Sequence, residues 1–214
     1  MLSHLVFDCD DTLYPRHSGL MQAISERISR YMIERMGMDP EVVPGLRRAY
    51  WEQYGTTSRG LQAVYGLDVD EYMHYVHDLP LDRYIRPDPA LDAVLDALPQ
   101  HKVIFTNATA EHARAVLDVV GVRRHFQEIY DAFFLCNEGK PAPGGYRRLL
   151  DALGVEGESC LFAEDSARNL RPAKELGMVT VLVDPPDGDL DGADFVIERI
   201  ADIGRVVQEV GCST

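Results

Sequence analysis

The sequence has no cysteine pair at CxxC spacing, no HxxxH or HExxH histidine pair, no Walker A loop and no GxGxxG turn. Those absences exclude zinc sites of the usual spacing and the nucleotide-binding folds that such glycine loops mark. The four cysteines, Cys9, Cys136, Cys160 and Cys212, lie far apart in the chain. They read as reduced thiols of a cytoplasmic protein rather than a disulfide framework, and Cys9 reads as packing at a strand end. The N-terminus lacks the basic region and apolar run of a secretory signal. Apolar runs never approach the roughly 20 residues that span a bilayer, so no membrane partner is expected. Positive charge is also scarce: 21 Lys and Arg face 35 Asp and Glu, a net charge of −14. A nucleic-acid polymer is therefore excluded as a partner, because phosphate-backbone binding needs clustered cations.

The chain has 214 residues, enough for one large domain or a core with an inserted module. A chain this long buries about 70 to 75% of its unfolded surface and needs no covalent staple. Short apolar runs predict strands at 3–8 (SHLVFD), 102–106 (KVIFT), 131–136 (DAFFLC), 160–163 (CLFA) and 179–183 (VTVLV), with a weaker one at 193–197. Helical patterns lie between them. Leu91, Val94, Leu95 and Leu98 share a helical face, as do Ala113, Val116, Leu117 and Val120, and likewise Tyr146, Leu149, Leu150 and Leu153. This alternation predicts an α/β fold, a Rossmann-like parallel sheet with helices on both faces.

One connection is too long for that rhythm. A simple crossover needs only about 10 to 12 residues or slightly more, yet residues 9–101 separate the first two strands. The excess reads as a helical insert. Leu20, Ile24, Ile28, Tyr31 and Met32 mark its first helix, and 44–54 a second. Linkers are expected near Pro15 and at 86–89 (RPDP), which divides the chain into a core of 1–15 and 87–214 and an insert of 16–86.

The polar residues gather where the strands end. Ligands of open parallel sheets bind at the carboxyl ends of the strands. There the sequence places Asp8, Asp10, Asp11 and Thr12 after the first strand, Thr106 and Asn107 after the second, and Glu164, Asp165 and Ser166 after the fourth. Crowded carboxylates repel unless a cation sits among them, and an all-oxygen set suits Mg²⁺. Asp8 and Asp10, two apart, suit a nucleophile and a proton-transfer group, with Lys140 offsetting charge. Each motif alone also fits a turn or an N-cap, and Lys140 in Gly139-Lys140-Pro141 alone reads as a solvated loop lysine.

Taken together, Asp8-Cys9-Asp10-Asp11-Thr12-Leu13-Tyr14, Phe105-Thr106-Asn107, Lys140-Pro141 and Glu164-Asp165-Ser166 with Asn169 resemble the four motifs of the haloacid dehalogenase-like (HAD) superfamily, in order. The resemblance implies a Mg²⁺-dependent phosphomonoesterase acting on a small phosphorylated metabolite. Asp8 would become an aspartyl-phosphate and Asp10 would be the general acid and base. Thr106, Asn107 and Lys140 would hold phosphate. Asp8, Asp10 through its carbonyl, and Asp165 would bind the metal, with Glu164 and Asn169 supporting it indirectly or through water. Asp10 speaks against the halide-displacing members, which lack this residue. The pattern departs from the family's at Asp11, where Gly or Asn is common, and at Asn169, where a second acid is common.

The insert sits where type-1 helical caps enter in this superfamily. Leu13-Tyr14-Pro15, Tyr54-Gly55-Thr56-Thr57-Ser58-Arg59-Gly60-Leu61 and His77-Asp78-Leu79-Pro80 resemble the pyrimidine 5'-nucleotidase branch. That likeness implies a nucleoside 5'-monophosphate substrate, with Thr56 and Arg59 as leaving-group contacts; a plain turn between two helices is the other reading of Tyr54 to Leu61. Two further functions stay open: a sugar-phosphate phosphomutase, and a non-catalytic protein that binds a phosphate ligand. So does the oligomeric state, monomer or homodimer.

Overall fold

The computed structural model describes residues 2–135, 138–185 and 189–212, so Cys136 lies outside the described residues. The chain divides into two compact units, Met1–Ser18 with Ile85–Thr214, and Gly19–Tyr84.

Among the described residues, the larger unit is built on six strands, all parallel: β1 (His4–Phe7), β2 (His101–Phe105), β3 (Glu128–Tyr130), β4 (Cys160–Glu164), β5 (Val179–Val183) and β6 (Phe195–Ile197). Their order is β3-β2-β1-β4-β5-β6. Successive strands run outward from β1 in one direction and from β4 in the other, so the crevice between β1 and β4 is where such sheets bind ligands. The central strands are apolar throughout because both faces are covered. Val6, Val103, Phe105 and Phe162 join a core with Tyr146 and Leu149 on one face, and the alternating Leu5, Phe7, Ile104 and Leu161 are equally buried on the other.

Among the described residues, five α-helices complete this unit: Pro89–Ala97, Ala110–Val120, Pro143–Leu153, Ala167–Glu175 and Ile203–Cys212. The smaller unit holds four helices, α1 (Leu20–Glu34), α2 (Val43–Tyr54), α3 (Thr57–Tyr65) and α4 (Val69–His77); those of the larger unit are therefore α5 to α9. Several starts have a side-chain cap. Asp88 accepts from the N–H groups of Ala90 and Leu91 to cap α5, Thr109 caps α6 through the N–H of His112, and Thr56 caps α3 through that of Arg59. Among the described residues, no helix is long and apolar enough to cross a membrane.

Two sequence expectations need correction. Residues 131–135 are not a strand: β3 ends at Tyr130, and Asp131 accepts hydrogen bonds from the backbone N–H groups of Phe133 and Phe134, at 3.2 and 2.9 Å, folding this part of the apolar run into a turn. The segment from Tyr54 to Leu61 is not a plain loop either. Gly55 ends α2, Thr56 caps α3, and Arg59 lies in the first turn of α3.

Gly60 lets α2 and α3 approach, because a Cβ there would overlap the buried Tyr50 ring. The neighbour is the root of a ring on a helix, not the end of a flexible chain. Gly60→Ala should therefore destabilise the helical unit by about 1 to 3 kcal/mol despite alanine's better helix propensity; denaturant unfolding followed by circular dichroism measures the loss, and an unchanged midpoint contradicts this packing.

Candidate active site

The parallel register explains how the acids meet. Phe7 is paired with Ala163, and the Asp8 N–H donates to the Ala163 carbonyl at 2.9 Å, so the next residues, Asp8 and Glu164, emerge side by side from β1 and β4. Lys140 enters between them from the turn ahead of α7. Its Nζ is 2.6 Å from Asp8 Oδ1 and 2.6 Å from Glu164 Oε2, and the residue is only 2% exposed. The expectation of a solvated loop lysine is thus overturned: two buried carboxylates from neighbouring strands draw the ammonium inside. The rings of Phe105 and Phe162 flank it, 5.5 and 5.4 Å from Nζ.

The second motif is fastened to the third. Asn107 Nδ2 donates to the Lys140 carbonyl at 2.9 Å, and Thr106 is buried with its hydroxyl oxygen accepting the Ala108 N–H at 3.0 Å. That acceptance leaves the Thr106 hydroxyl hydrogen to donate elsewhere. Asn169 does not reach the carboxylate rim as a ligand; its Nδ2 donates to Glu164 Oε1 at 3.1 Å, so it orients Glu164.

Asp8, Glu164 and Asp165 bring one carboxylate oxygen each within 4.8 Å of one another. Lys140 and Asn169 engage both oxygens of Glu164, whereas Lys140 holds Oδ1 of Asp8 and Arg16 holds Oδ2 of Asp165. The donors are all oxygen and carry more negative charge than one lysine balances, so the residues present fit a hard divalent cation. Arg16, which sequence reasoning assigned to the insert, sits beside them in the larger unit: its Nη2 donates to Asp165 Oδ2 at 2.7 Å, and Nη1 lies 3.8 Å from Asp11 Oδ2.

Asp11 has φ of 56°, in the left-handed region. Glycine and asparagine adopt that backbone readily and aspartate tolerates it, which accounts for the departure at this position as turn geometry. The Asp11 Oδ1 atom is buried without a hydrogen-bond partner. Burial pushes its carboxyl up to about 7, against the pull of Arg16.

Asp10 is held by two groups for which sequence reasoning gave no role. Tyr14 Oη donates to Asp10 Oδ1 at 2.6 Å, and His112 Nε2 lies 2.8 Å from the same oxygen. Burial disfavours the charged imidazole, but the charge and hydrogen bond of Asp10 outweigh it, and the pKa of His112 stands above the usual histidine value. The available signals were slight: Tyr14 lies four residues beyond Asp10, and His112 lies on the face of α6 that also carries Val116. Cys9 is fully buried, and desolvation holds its thiol well above the usual range, so it packs rather than reacts.

The haloacid dehalogenase-like hydrolase family matches residues 2–177, a span that contains every residue of this constellation. The chain belongs to that family. Phosphate metabolism protein 8 of Saccharomyces cerevisiae is 26% identical over 194 residues, covering 82% of this chain and 60% of the yeast protein, so the chain spans less than two thirds of that relative's length. A phosphoglycolate phosphatase of Rhodospirillum rubrum is 26% identical over 194 residues, 84% of this chain and 78% of its own. A haloacid dehalogenase-like protein from Agrobacterium tumefaciens, 20% identical, superposes with a TM-score of 0.66 over 99% of this chain and all of its own, and so shares the fold.

One HAD-family lysine cannot neutralise two buried acids. Burial, reinforced by the charge of Glu164 and opposed by Lys140, raises Asp8 to about 7, and burial raises Glu164 to about 7 against Lys140. The two carboxylates in turn hold Lys140 above its usual value in spite of its burial. Acids raised in the folded state keep protons that the unfolded chain releases from about pH 4 upward. Their contribution to stability is therefore fully present below the ordinary carboxylate range and is lost as pH climbs through about 7. With chelator present, the melting temperature should fall between pH 5 and pH 8, and Glu164→Gln should flatten that slope. An equally steep slope in the variant would place the protons elsewhere.

Proposed function

We propose that this hydrolase is a phosphomonoesterase that works through an aspartyl-phosphate on Asp8. The observation that carries the reading is the seating of Lys140 between Asp8 and Glu164 at the ends of β1 and β4. A lysine buried there orients one Asp8 oxygen and offsets negative charge where an anionic ester would arrive.

The residues divide the work as follows. Asp8 attacks phosphorus, and the P–O bond to the leaving group breaks as Asp10 gives that oxygen its proton. Water then attacks the acyl phosphate, Asp10 takes its proton, and inorganic phosphate departs with Asp8 restored. The Thr106 hydroxyl, the Asn107 backbone and Lys140 hold phosphate oxygens meanwhile. A divalent cation would be held by Asp8, the Asp10 carbonyl and Asp165 and would offset charge between nucleophile and phosphate; Mg²⁺ suits the all-oxygen donor set.

A small phosphorylated metabolite is the substrate class. The finer reading is a pyrimidine nucleoside 5'-monophosphate, on the likeness of the segment from Tyr54 to Leu61. Within that segment the Thr56 hydroxyl caps α3, and Arg59, in the first turn of α3, is the contact to the leaving group that the likeness offers. A panel of UMP, CMP, purine nucleotides, phosphoglycolate and sugar phosphates, with and without Mg²⁺, ranks these substrates. A sugar bisphosphate among the products would instead identify a mutase, and no phosphate release from any ester a binding protein.

Asp8→Asn should lower kcat on the order of 10⁴-fold or more while the protein melts as a folded chain; retained turnover rules out the aspartyl-phosphate. Loading metal-free protein with Mg²⁺ near neutrality should release protons, because acids that titrate near 7 must ionise to accept it, and affinity should rise from pH 6 to pH 8. Calorimetry in buffers of different ionisation heat reads the proton count, and a count of zero excludes these carboxyls as the binding groups.

A further inference from the structure

We propose that Tyr14 and His112 are positioning residues that hold the carboxyl of Asp10 in place for proton transfer, a reading that rests on the aspartate chemistry proposed above. Both contacts fall on Oδ1: the Tyr14 hydroxyl at 2.6 Å and His112 Nε2 at 2.8 Å. A phenol and an imidazole N–H are both donors toward a carboxylate. With both on Oδ1, rotation of the carboxyl is pinned from two directions.

The two donors come from separate segments, which makes the clamp more than local turn chemistry. Tyr14 lies four residues beyond Asp10 in the loop that leaves β1, and is 4% exposed. His112 comes from the first turn of α6, with its side chain 1% exposed. That turn is itself anchored twice: the His112 N–H donates to Thr109 Oγ1 at 3.2 Å, and the Ala110 N–H donates to Asp131 Oδ2 at 2.9 Å. Asp131 in turn shapes the loop after β3. The orientation of Asp10 is thereby tied to the ends of three strands. A general acid must lie within hydrogen-bond reach of the atom it protonates, and a carboxyl swinging on a loop meets that condition only part of the time.

A merely structural trio would change stability and slow every substrate alike. A positioning pair makes a different demand, because only poor leaving groups need the Asp10 proton during transfer to Asp8. The test compares single-turnover transfer from 4-nitrophenyl phosphate, whose phenolate leaves unaided, with transfer from a simple alkyl phosphate. Tyr14→Phe keeps the ring and removes the donor. It should slow alkyl transfer at least about tenfold more than aryl transfer, and slow hydrolysis of the aspartyl-phosphate as well. His112→Ala should show the same split, and His112→Gln, whose amide N–H can stand near Nε2, should restore most of the alkyl rate.

Equal slowing of both esters, or none, in Tyr14→Phe overturns the proposal, and the retained ring keeps that arm informative even where a His112 variant folds poorly. Asp10→Asn separates the two levels. Full turnover in Asp10→Asn defeats the underlying aspartate chemistry and the clamp with it. A clear leaving-group split in Asp10→Asn that is absent from both Tyr14→Phe and His112→Ala defeats the positioning role alone.

Discussion

The site depends on one ammonium group placed out of water between two carboxylates. A buried lysine is costly unless paired, and a buried carboxylate is costly in the same way; Lys140, Asp8 and Glu164 make each other tolerable. The trio stays one charge short, since Lys140 faces two acids, while the third acid close by, Asp165, is paired with Arg16. That deficit makes the crevice receptive to additional positive charge while the nucleophile candidate stays oriented. Asn169 and Asn107 support the same lysine and glutamate from either side without adding charge.

Strand order makes the triad possible. β1 and β4 are neighbours in space although residues 8–159 separate them in the chain, and their register delivers Asp8 and Glu164 at the same level. The same sheet brings Thr106 to this rim from β2, on the other side of β1. Sequence reasoning reached the strand-end carboxylates because acids following short apolar runs are visible along the chain. It did not reach the burial of Lys140, because nothing in Gly139-Lys140-Pro141 says that two acids from distant strands will flank it. Tyr14 and His112 escaped for a related reason: a tyrosine in a turn and a histidine on an apolar helix face acquire meaning only when Asp10 lies between them.

The fold was legible to a similar depth. β1, β2, β4 and β5 are short, apolar and abruptly bounded, which is how buried parallel strands read. β3 is different. It is a sheet-edge strand, only partly buried, and its residues Glu128, Ile129 and Tyr130 carry less apolar signal than the turn that follows. Phe134 and Leu135 are apolar because they pack against the core under that turn, so hydrophobicity marked the place and mistook the conformation. At the junction of α2 and α3 the error has another source, since Gly55 and Thr56 act as a stop and a start so close together that they resemble a loop.

Asp11 separates electrostatic bulk from chemical necessity. It stands in an unbroken acidic pair with Asp10, yet its left-handed backbone gives the position a steric reason to be what it is. Neighbouring letters of one motif are therefore under different kinds of selection: 8 and 10 are constrained by the atoms they present, 11 by the torsion it can adopt. A survey of tolerated replacements would accept glycine or asparagine at 11 and reject them at 8 and 10, so a pattern that looks like one acidic loop would come apart into two chemical positions and one hinge of backbone.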